Sequence, residues 1–497
     1  MLLIGYDIGS SSVKAAIVDS ETGQILARGQ YPASEMEIHA PQAGWAEQAP
    51  EDWWQNLCVL TQKLLTEQGI AAEDIKGIGI GYQMHGLVMV DAEQNVLRPS
   101  IIWCDSRAVA IGQQAFEELG AEHCLAHYLN SPGNFTASKL RWVIENEPDL
   151  FAKADKILLP GDYIAMKLTG TCCTTISGLS EGVLWDFKEK GLALDLMKHF
   201  EIPEGLIPEI KPSFAEQGRL TKQAAVACGL KAGTPVTYRA GDQPNNALCL
   251  NVLQPGQIAA TGGTSGVVYG IVDQPLYDPA SRVNGFAHVN YTPQESNIGV
   301  LLCINGTGIQ HNWMRQKIGQ ETFSYPQMEA LAEQVPIGSD GLRVLPFGNG
   351  AERMLENKNL GAQISGLDFN RHQQAHLFRG GLEGIAFSFV YGLEIMQEMG
   401  LSIDKMRVGN DNLFQSSIFA ESIATCMGIG IEVVDTTGAI GAAKAAGIAI
   451  GAFDRLEEAL AGSPIVHQYL PQNGSEAYHE AYGNWKKTLL KELQHFG

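Results

Sequence analysis

The sequence predicts an α/β protein made of two related domains that hold a polyphosphate between them. Two segments lead to this prediction, because each reads as a strand, a tight turn of glycine and hydroxyl residues, and a second strand. The first segment turns at residues 8–12 and the second at residues 261–266. Such a turn can aim backbone N–H groups at an anion, and glycine lets the backbone come close. Two copies of one turn therefore indicate a duplicated fold with a ligand between its halves.

Length and composition are those of a two-domain enzyme. The chain has 497 residues, more than the roughly 250–300 that one core fills. Its formal net charge is -21, and no basic stripe is present, so nucleic acid is not an expected partner. The nine cysteines form no C-x-x-C pair, which indicates reduced thiols. We find no signal peptide or membrane span, expect a cytoplasmic protein, and leave a homodimer open.

In the first half, predicted strands alternate with helices. A helix is predicted from Pro50, which suits a first helical position, to Gly69, which suits a helix end. Strands are predicted, in chain order, at residues 2–8, 12–19, 24–31, 75–82 and 87–90. This alternation is typical of an α/β fold.

The second half repeats this order after its turn. Apolar residues at helical spacing predict a helix that ends at Gly400, and small residues predict another from Gly438 to Ile450. Between them we predict strands at residues 406–409 and 429–434 and a helix at 415–427. We place the domain boundary between residues 245 and 246, which gives an N-terminal domain of 1–245 and a C-terminal domain of 246–497.

Two carboxylates are candidates for phosphoryl-transfer chemistry. Asp7 ends the first strand beside the first turn, where it could hold Mg²⁺ directly or through water. Its alternative role is to cap its own turn, but the second turn favours the metal. Asp242 follows a predicted strand and could accept the proton of an attacking hydroxyl. A helix N-cap is the alternative role of Asp242.

Two further segments, Gln83–Gly86 and Trp103–Arg107, follow strands of the first half. Ligands of α/β proteins gather at the carboxyl ends of strands, so these side chains could bind a polyhydroxylated ligand. The alternatives are a structural His85 and a local surface ion pair between Asp105 and Arg107. Neither a G-x-x-x-x-G-K-[ST] loop nor a complete G-x-G-x-x-G occurs, which excludes P-loop proteins and removes the main support for dinucleotide binding.

Together these motifs resemble the FGGY family of carbohydrate kinases. The likeness extends from Asp7-Ile8-Gly9 to Gly441-Ala442-Ala443 and includes Gly133–Leu140. Within the family, Gln83–Gly86 and Trp103–Arg107 resemble the branch that acts on D-xylulose. The resemblance implies a two-domain actin-like, ribonuclease H-like ATPase fold with the active site in the interdomain cleft.

The same resemblance implies a role for each motif. Asp242 would be the general base and Asp7 the carboxylate associated with Mg²⁺, with ATP as phosphoryl donor and a sugar as acceptor. The implied sugar site consists of Met84, His85, Trp103, Asp105 and Gln243. For the nucleotide, the resemblance implies Gly263, Thr264, Ser265, Gly409 and Asn412. The first turn adds Gly9, Ser10, Ser11 and Lys14 as candidates. The expected reaction is the phosphorylation of D-xylulose to D-xylulose 5-phosphate.

Two segments depart from the family pattern. Residues 408–412, Val-Gly-Asn-Asp-Asn, replace a glycine-rich adenosine loop, although Asn and Asp tolerate the left-handed backbone that such a loop needs. Residues 244–246, Pro-Asn-Asn, replace small residues after Gln243 and could reshape the sugar pocket. Two alternatives therefore stay open. The chain could be a kinase of another ketose or polyol, or a nucleotide-dependent binding protein of the actin/Hsp70 type.

Overall fold

The first half of the chain builds one large β-sheet with helices around it. The computed structural model of the protein describes residues 1–496. The strands of this half are β1 (Leu2–Ile8), β2 (Val13–Asp19), β3 (Ile25–Tyr31), β4 (Glu47–Gln48), β5 (Ile75–Tyr82), β6 (Val88–Val90), β7 (Ser100–Ile101), β8 (Lys156–Leu158), β9 (Cys173–Thr174), β10 (Trp185–Asp186), β11 (Gly191–Leu192), β12 (Glu209–Ile210), β13 (Gly218–Arg219) and β14 (Pro235–Gly241). Its helices are α1 (Pro50–Gln68), α2 (Val109–Leu119), α3 (Ala121–Tyr128), α4 (Thr136–Asn146), α5 (Pro148–Phe151), α6 (Pro160–Thr169), α7 (Ile176–Glu181), α8 (Leu194–His199), α9 (Lys222–Cys228) and α10 (Asp242–Cys249).

The second half builds a second large sheet. Its strands are β15 (Gln257–Gly262), β16 (Gly266–Val272), β17 (Asn284–Ala287), β18 (Ile298–Ile304), β19 (Arg343–Phe347), β20 (Gly361–Ser365), β21 (Lys405–Gly409), β22 (Ile431–Val434) and β23 (Ile465–Tyr469). Its helices are α11 (Gly308–Trp313), α12 (Tyr325–Ala332), α13 (Gln374–Glu398), α14 (Ser417–Met427), α15 (Gly438–Ala449), α16 (Leu456–Leu460) and α17 (Glu476–Leu493). A π-helical stretch, Met314–Ile318, continues α11.

The two large sheets repeat one topology, which confirms the duplication predicted from the two turns. The first sheet has the order β3-β2-β1-β5-β14-β13, and the second contains β18-β16-β15-β21-β22-β23 with β17 added beside β18. In each sheet three mutually antiparallel strands end with β1 or β15, and the next two strands run parallel to it. A last antiparallel strand closes the edge. The two tight turns occupy equivalent places, between β1 and β2 and between β15 and β16.

The predicted elements of the sheets are present, with small changes at their ends. The helix predicted from Pro50 begins there as α1, and Gly69 ends it in the left-handed conformation at φ +62°. The helix predicted to end at Gly400 is α13, which begins at Gln374, well before its apolar stripe. Among residues 1–496 no helix combines the length and the apolar character needed to cross a bilayer.

Helix α15 of the second half packs against the first sheet. A Cβ atom on Gly5 of β1 would lie 2.1 Å from the Ala439 carbonyl oxygen of α15. A Cβ atom on Gly79 of β5 would lie 2.0 Å from the Ala442 carbonyl oxygen. Because real side-chain carbons do not approach a carbonyl so closely, only glycine lets the helix lie this near the sheet. The other face of the sheet packs against α1 and α6.

Helix α10 of the first half is tied to the second sheet in turn. Nη1 of Arg407 on β21 donates to the carbonyl oxygens of Leu250 and Asn251, just after α10, at 3.2 and 3.0 Å. The helices α10 and α15 touch closely, since a Cβ atom on Gly441 would lie 2.3 Å from Cβ of Cys249. The two halves thus exchange helices. The predicted boundary between residues 245 and 246 falls within α10 and stays a prediction.

Candidate active site

In the first turn, between β1 and β2, the carbonyl groups accept hydrogen bonds while some N–H groups stay free. Its Gly9 N–H donates to the Ser12 carbonyl at 3.1 Å and closes the turn. The Ser10 carbonyl accepts from Nε2 of Gln48 at 2.7 Å, and the Ser11 carbonyl accepts from a backbone N–H at 2.8 Å. Within residues 1–496 the N–H groups of Ser10 and Ser11 reach no backbone carbonyl. They are therefore available to an anion.

The second turn repeats this arrangement. Its Gly263 and Thr264 carbonyls accept from the N–H groups of Gly308 and Ile309 at 2.9 and 3.1 Å, where α11 begins. The N–H groups of Gly263, Thr264 and Ser265 reach no backbone carbonyl of the described chain. Both turns thus present free donors while their acceptors are occupied, which is the pattern of an oxyanion-binding turn.

A cavity of about 880 Å³ opens beside the second turn. Gly263, Thr264 and Asn412 line it, together with Tyr325 and Ser416. Its volume lies in the range of small-ligand pockets and suits a nucleotide. The structure therefore brings three of the predicted nucleotide-binding residues to one pocket.

The loop that follows β21 contains a residue in the left-handed conformation. Asn412 adopts φ +56°, the left-handed conformation that Asn tolerates, as predicted. The neighbouring Asp411 carboxylate lies near Gly409, 3.1 Å from where a Cβ atom there would stand. Burial raises the pKa of Asp411, and the positive charge of Lys14 on the first half opposes this shift. The charge of Lys14 on the first half therefore acts on this loop of the second half.

The two candidate carboxylates lie at element ends. Asp7 is the last residue but one of β1 and lies beside the start of α15, because a Cβ atom on Gly438 would stand 3.0 Å from its Oδ2. Burial raises the pKa of Asp7, and Lys14 opposes the shift. Asp242 begins α10, and burial raises its pKa to about 7, with the negative charge of Asp7 adding to the shift and Gln243 opposing it. A carboxylate that titrates near neutrality suits proton abstraction.

His85 is held as a neutral acceptor. It follows β5 with φ +63°, next to the buried Met84. Its Nδ1 lies 2.8 Å from the Glu181 carbonyl oxygen. A carbonyl only accepts, so Nδ1 carries the proton and Nε2 keeps a free lone pair. Burial lowers the pKa of His85 to about 3, and the ring lies 4.8 Å from that of Phe135. Such a ring can accept a hydrogen bond from a sugar hydroxyl.

Trp103 and Asp105 have different surroundings although they share one segment. The Trp103 side chain is 52% exposed, and its Nε1 donates to the Ser10 hydroxyl at 3.3 Å, which places it over the first turn. The Asp105 carboxylate is fully buried and accepts from the Ala46 N–H at 2.6 Å and from Nη2 of Arg107 at 2.7 Å. The Asp105 carboxylate therefore does not face the open site, since its oxygens are buried and already accept from Ala46 and Arg107. The Asp105–Arg107 ion pair is also buried rather than a surface pair.

Asn245 joins the two exchanged helices. Its Nδ2 donates to the Gly438 carbonyl at the start of α15 at 2.9 Å, and its Oδ1 accepts from the Tyr238 hydroxyl at 3.1 Å. The side chain is fully buried. The departure at residues 244–246 therefore lies, at Asn245, in the junction between the halves. The sequence gives no signal for this role, because its partners are distant in the chain.

Arg353 is a site residue that sequence reasoning missed. Its Nη1 is buried without a hydrogen-bond partner among residues 1–496. Burial and the charge of Lys139 lower the pKa of His85, and the positive charge of Arg353 adds to this shift, so Arg353 acts electrostatically on a proposed sugar ligand. The preceding Glu352 anchors the segment, since both of its carboxylate oxygens accept from the Asn305 N–H at 3.0 and 3.1 Å. No predicted helix or strand contains Arg353, which is why its position could not be inferred.

The described residues offer a metal ion few protein ligands. Within residues 1–496 no group of three or more His, Cys, Asp or Glu side chains is arranged to hold an ion. Mg²⁺ keeps several waters and is commonly bound through one or two carboxylates together with substrate phosphates. The single Asp7 carboxylate beside the first turn fits a cation that arrives with a polyphosphate.

The chain is similar to known proteins over nearly its whole length. Residues 2–249 match the N-terminal domain, and residues 258–450 the C-terminal domain, of the FGGY family of carbohydrate kinases. The chain is 30% identical to a xylulose kinase of Bacillus subtilis (strain 168), over 92% of this chain and 90% of that protein. It is 29% identical to an L-xylulose/3-keto-L-gulonate kinase of Escherichia coli (strain K12), with the same shares covered. The crystal structure of a xylulose kinase from Rhodospirillum rubrum superposes with a TM-score of 0.89 at 26% identity, over 100% of this chain and 99% of that one.

Proposed function

Because this chain belongs to the FGGY family of carbohydrate kinases, enzymes of the actin-like ATPase fold that phosphorylate sugars, we propose that its own substrates are ATP and D-xylulose. The product would be D-xylulose 5-phosphate. The observation that carries the proposal is Asp242, a carboxylate of pKa about 7 at the start of α10. The relatives named as xylulose kinases support the choice of sugar.

In the proposed reaction, Asp242 accepts the proton of the terminal primary hydroxyl while that oxygen attacks the γ-phosphorus of ATP. The bond between the γ-phosphorus and the bridging oxygen breaks, and its electron pair leaves with ADP. The free N–H groups of the two turns offset charge on the phosphoryl oxygens. Closure of the two halves would exclude water from the transfer.

On the sugar side, the neutral His85 accepts from one hydroxyl through Nε2. Met84 contributes an apolar wall, and the half-exposed Trp103 covers the sugar from the side of the first turn. Gln243, next to the base, completes the proposed sugar site. We do not include Asp105 in it, because Arg107 and Ala46 already occupy its carboxylate.

On the nucleotide side, the proposed phosphate contacts are Gly9, Ser10, Ser11, Lys14, Gly263, Thr264 and Ser265, and the proposed adenosine contacts are Gly409 and Asn412. The cavity beside the second turn supports this assignment for Gly263, Thr264 and Asn412. Mg²⁺ would be held by Asp7 and would neutralise charge on the phosphoryl group.

We also propose a cytoplasmic enzyme. All nine cysteines are free, including the buried Cys58, Cys124 and Cys228. Unpaired thiols are typical of a reducing compartment. The test is to treat the folded protein with an oxidant and then count its free thiols. Rapid formation of disulfides between neighbouring cysteines of the native fold would contradict this proposal.

A keto sugar acid is the second candidate substrate. Arg353 favours it, because its positive charge acts on His85 and its buried Nη1 has no partner among residues 1–496. A substrate carboxylate would satisfy this group. The relative that acts on 3-keto-L-gulonate is about as similar to this chain as the xylulose kinases are.

A panel of acceptors in a coupled ADP-release assay tests the proposal. The panel contains D-xylulose, L-xylulose, D-ribulose, glycerol and 3-keto-L-gulonate. We expect D-xylulose to give the highest kcat/KM. A higher value for the acid, abolished by Arg353→Met while the ketoses keep theirs, would favour the second candidate. ADP formation that no acceptor stimulates would contradict both.

A further inference from the structure

A buried carboxyl group without a partner lies next to the proposed base. Glu181 ends α7 and is fully inaccessible to solvent. Within residues 1–496 neither of its carboxyl oxygens has a partner with full hydrogen-bond geometry, although the Tyr82 hydroxyl, itself otherwise unpaired, lies beside the carboxyl. An unsatisfied buried polar group costs about 1–3 kcal/mol, so its presence calls for a function.

The Glu181 side chain lies against the backbone that carries Asp242. A Cβ atom on Gly241 would stand 2.3 Å from Oε2 of Glu181 and 2.5 Å from Cγ of Met84. The Glu181 backbone carbonyl holds Nδ1 of His85 at 2.8 Å. One residue therefore contacts the segment of the base and fixes the ring of a proposed sugar ligand.

The charges around Glu181 favour its neutral form. The titratable groups that face it come from several elements: Asp242 of α10, Asp162 of α6, Tyr82 and His85 at β5, Tyr269 of β16 and Lys139 of α4. Burial, followed by the negative charges of Asp242 and Asp162, raises the pKa of Glu181 well above its ordinary range. Lys139 is the only cation in this set, and its Nζ is already shared between the carbonyls of His85 and Ile102.

We propose that Glu181 is a positioning residue for the sugar and the base. As a neutral carboxylic acid it fills the space between Gly241, Met84 and His85 without adding a negative charge beside Asp242. It does not touch the substrate, because it has no accessible surface. An ionised carboxylate at this place would raise the pKa of Asp242 and repel the phosphoryl group. This inference rests on the proposed function, since it needs Asp242 and His85 in their proposed roles.

Two substitutions separate positioning from catalysis. Glu181→Gln keeps the shape and neutrality of the acid, and we expect its kcat and sugar KM to stay within about threefold of wild type at every pH. Glu181→Ala opens a cavity behind Gly241, and we expect kcat/KM for the sugar to fall about 10- to 100-fold with an unchanged KM for ATP. Water in that cavity would also solvate Asp242, so the acid limb of the pH profile should move about 1 unit lower.

The experiment uses the acceptor of highest kcat/KM in the panel, with Glu122→Ala on the exposed face of α3 as control. A Glu181→Gln variant that loses turnover as severely as an Asp242 variant would overturn the inference, because Glu181 would then transfer a proton. A Glu181→Ala variant with wild-type kinetics and pH profile would overturn it as well. If Glu181→Ala does not fold, Glu181→Asp, which withdraws the carboxyl by one methylene, takes its place with the same expectations for sugar kcat/KM. A wild type that phosphorylates no acceptor overturns the proposed function instead.

Discussion

The two tight turns have the same backbone design but opposite electrostatic character. In the first half, the second residue pair from the turn is Asp7 opposite Lys14. At the equivalent position of the second half, Thr261 lies opposite Val267. The first turn is also one residue longer, since Ile8 pairs with Val13 whereas Gly262 pairs with Gly266.

This difference indicates that the two copies of the turn have different functions. Both turns offer free N–H groups to an anion, so the scaffold alone can hold phosphates on each side. Of the two residue pairs compared above, only that of the first turn is charged, and its Asp7 acts on the nearby Asp242. We therefore assign the chemistry to the first turn and the α10 start, and nucleotide binding mainly to the second turn and its cavity. The following experiments test this division.

The largest expected effect is that of Asp242→Asn. Removing the base should lower kcat by about 10³-fold, because general-base catalysis contributes roughly 10²–10⁴. Binding of the sugar, measured by titration calorimetry, should change little. The control is Asp454→Asn, an exposed carboxylate of the second half, which should keep wild-type turnover. Near-normal turnover of Asp242→Asn would show that Asp242 at the start of α10 is not the base.

The second prediction concerns the exchanged helix that supports the first turn. Gly79→Ala places a methyl group 2.0 Å from the Ala442 carbonyl oxygen, and such overpacking costs about 1–3 kcal/mol or more. The urea midpoint of unfolding should therefore fall. Gly205→Ala is the matched control, since no atom lies within 4 Å of its new carbon. Equal midpoints for the two variants would show that α15 does not pack on the first sheet.

The pH dependence of kcat/KM tests whether Asp7 acts on Asp242. Burial and the charge of Asp7 raise the pKa of Asp242 to about 7, and only its ionised form accepts a proton. We expect kcat/KM to increase with pH up to about 7 and to lose about tenfold per unit below it. Asp7→Asn removes one cause of the raised pKa, so the acid limb should move to lower pH. A limb that stays in place would show that the two carboxylates are not coupled.

The smallest expected effect is that of Lys14→Met. Loss of this exposed cation should raise the KM for ATP about fivefold, the equivalent of about 1 kcal/mol for a solvent-exposed charge pair. The KM for the sugar should not change. Lys63→Met on the exposed face of α1 is the control. An unchanged KM for ATP would show that the positive charge of Lys14 at the first turn does not contribute to nucleotide binding.

Sequence patterns predicted the strands and the turns because those signals are local. The run Leu2–Ile8, the turn at Gly9 and the end of α1 at Gly69 each depend on residues close together in the chain. The surroundings of Asp105 and Glu181 could not be predicted in this way. Their environments are made by the Ala46 N–H and by Gly241, which approach them only in the folded chain.

The packing of α15 on β1 and β5 also has a consequence for synthesis on the ribosome. The face of the first sheet that carries Gly5 and Gly79 is completed by a helix from the last part of the chain. Multidomain proteins generally fold their N-terminal domain while the rest is still being made. Here the first sheet keeps one apolar face open until nearly all residues have emerged. We therefore expect the nascent N-terminal half to be the most aggregation-prone stage of synthesis, because its apolar face is covered only after α15 has emerged.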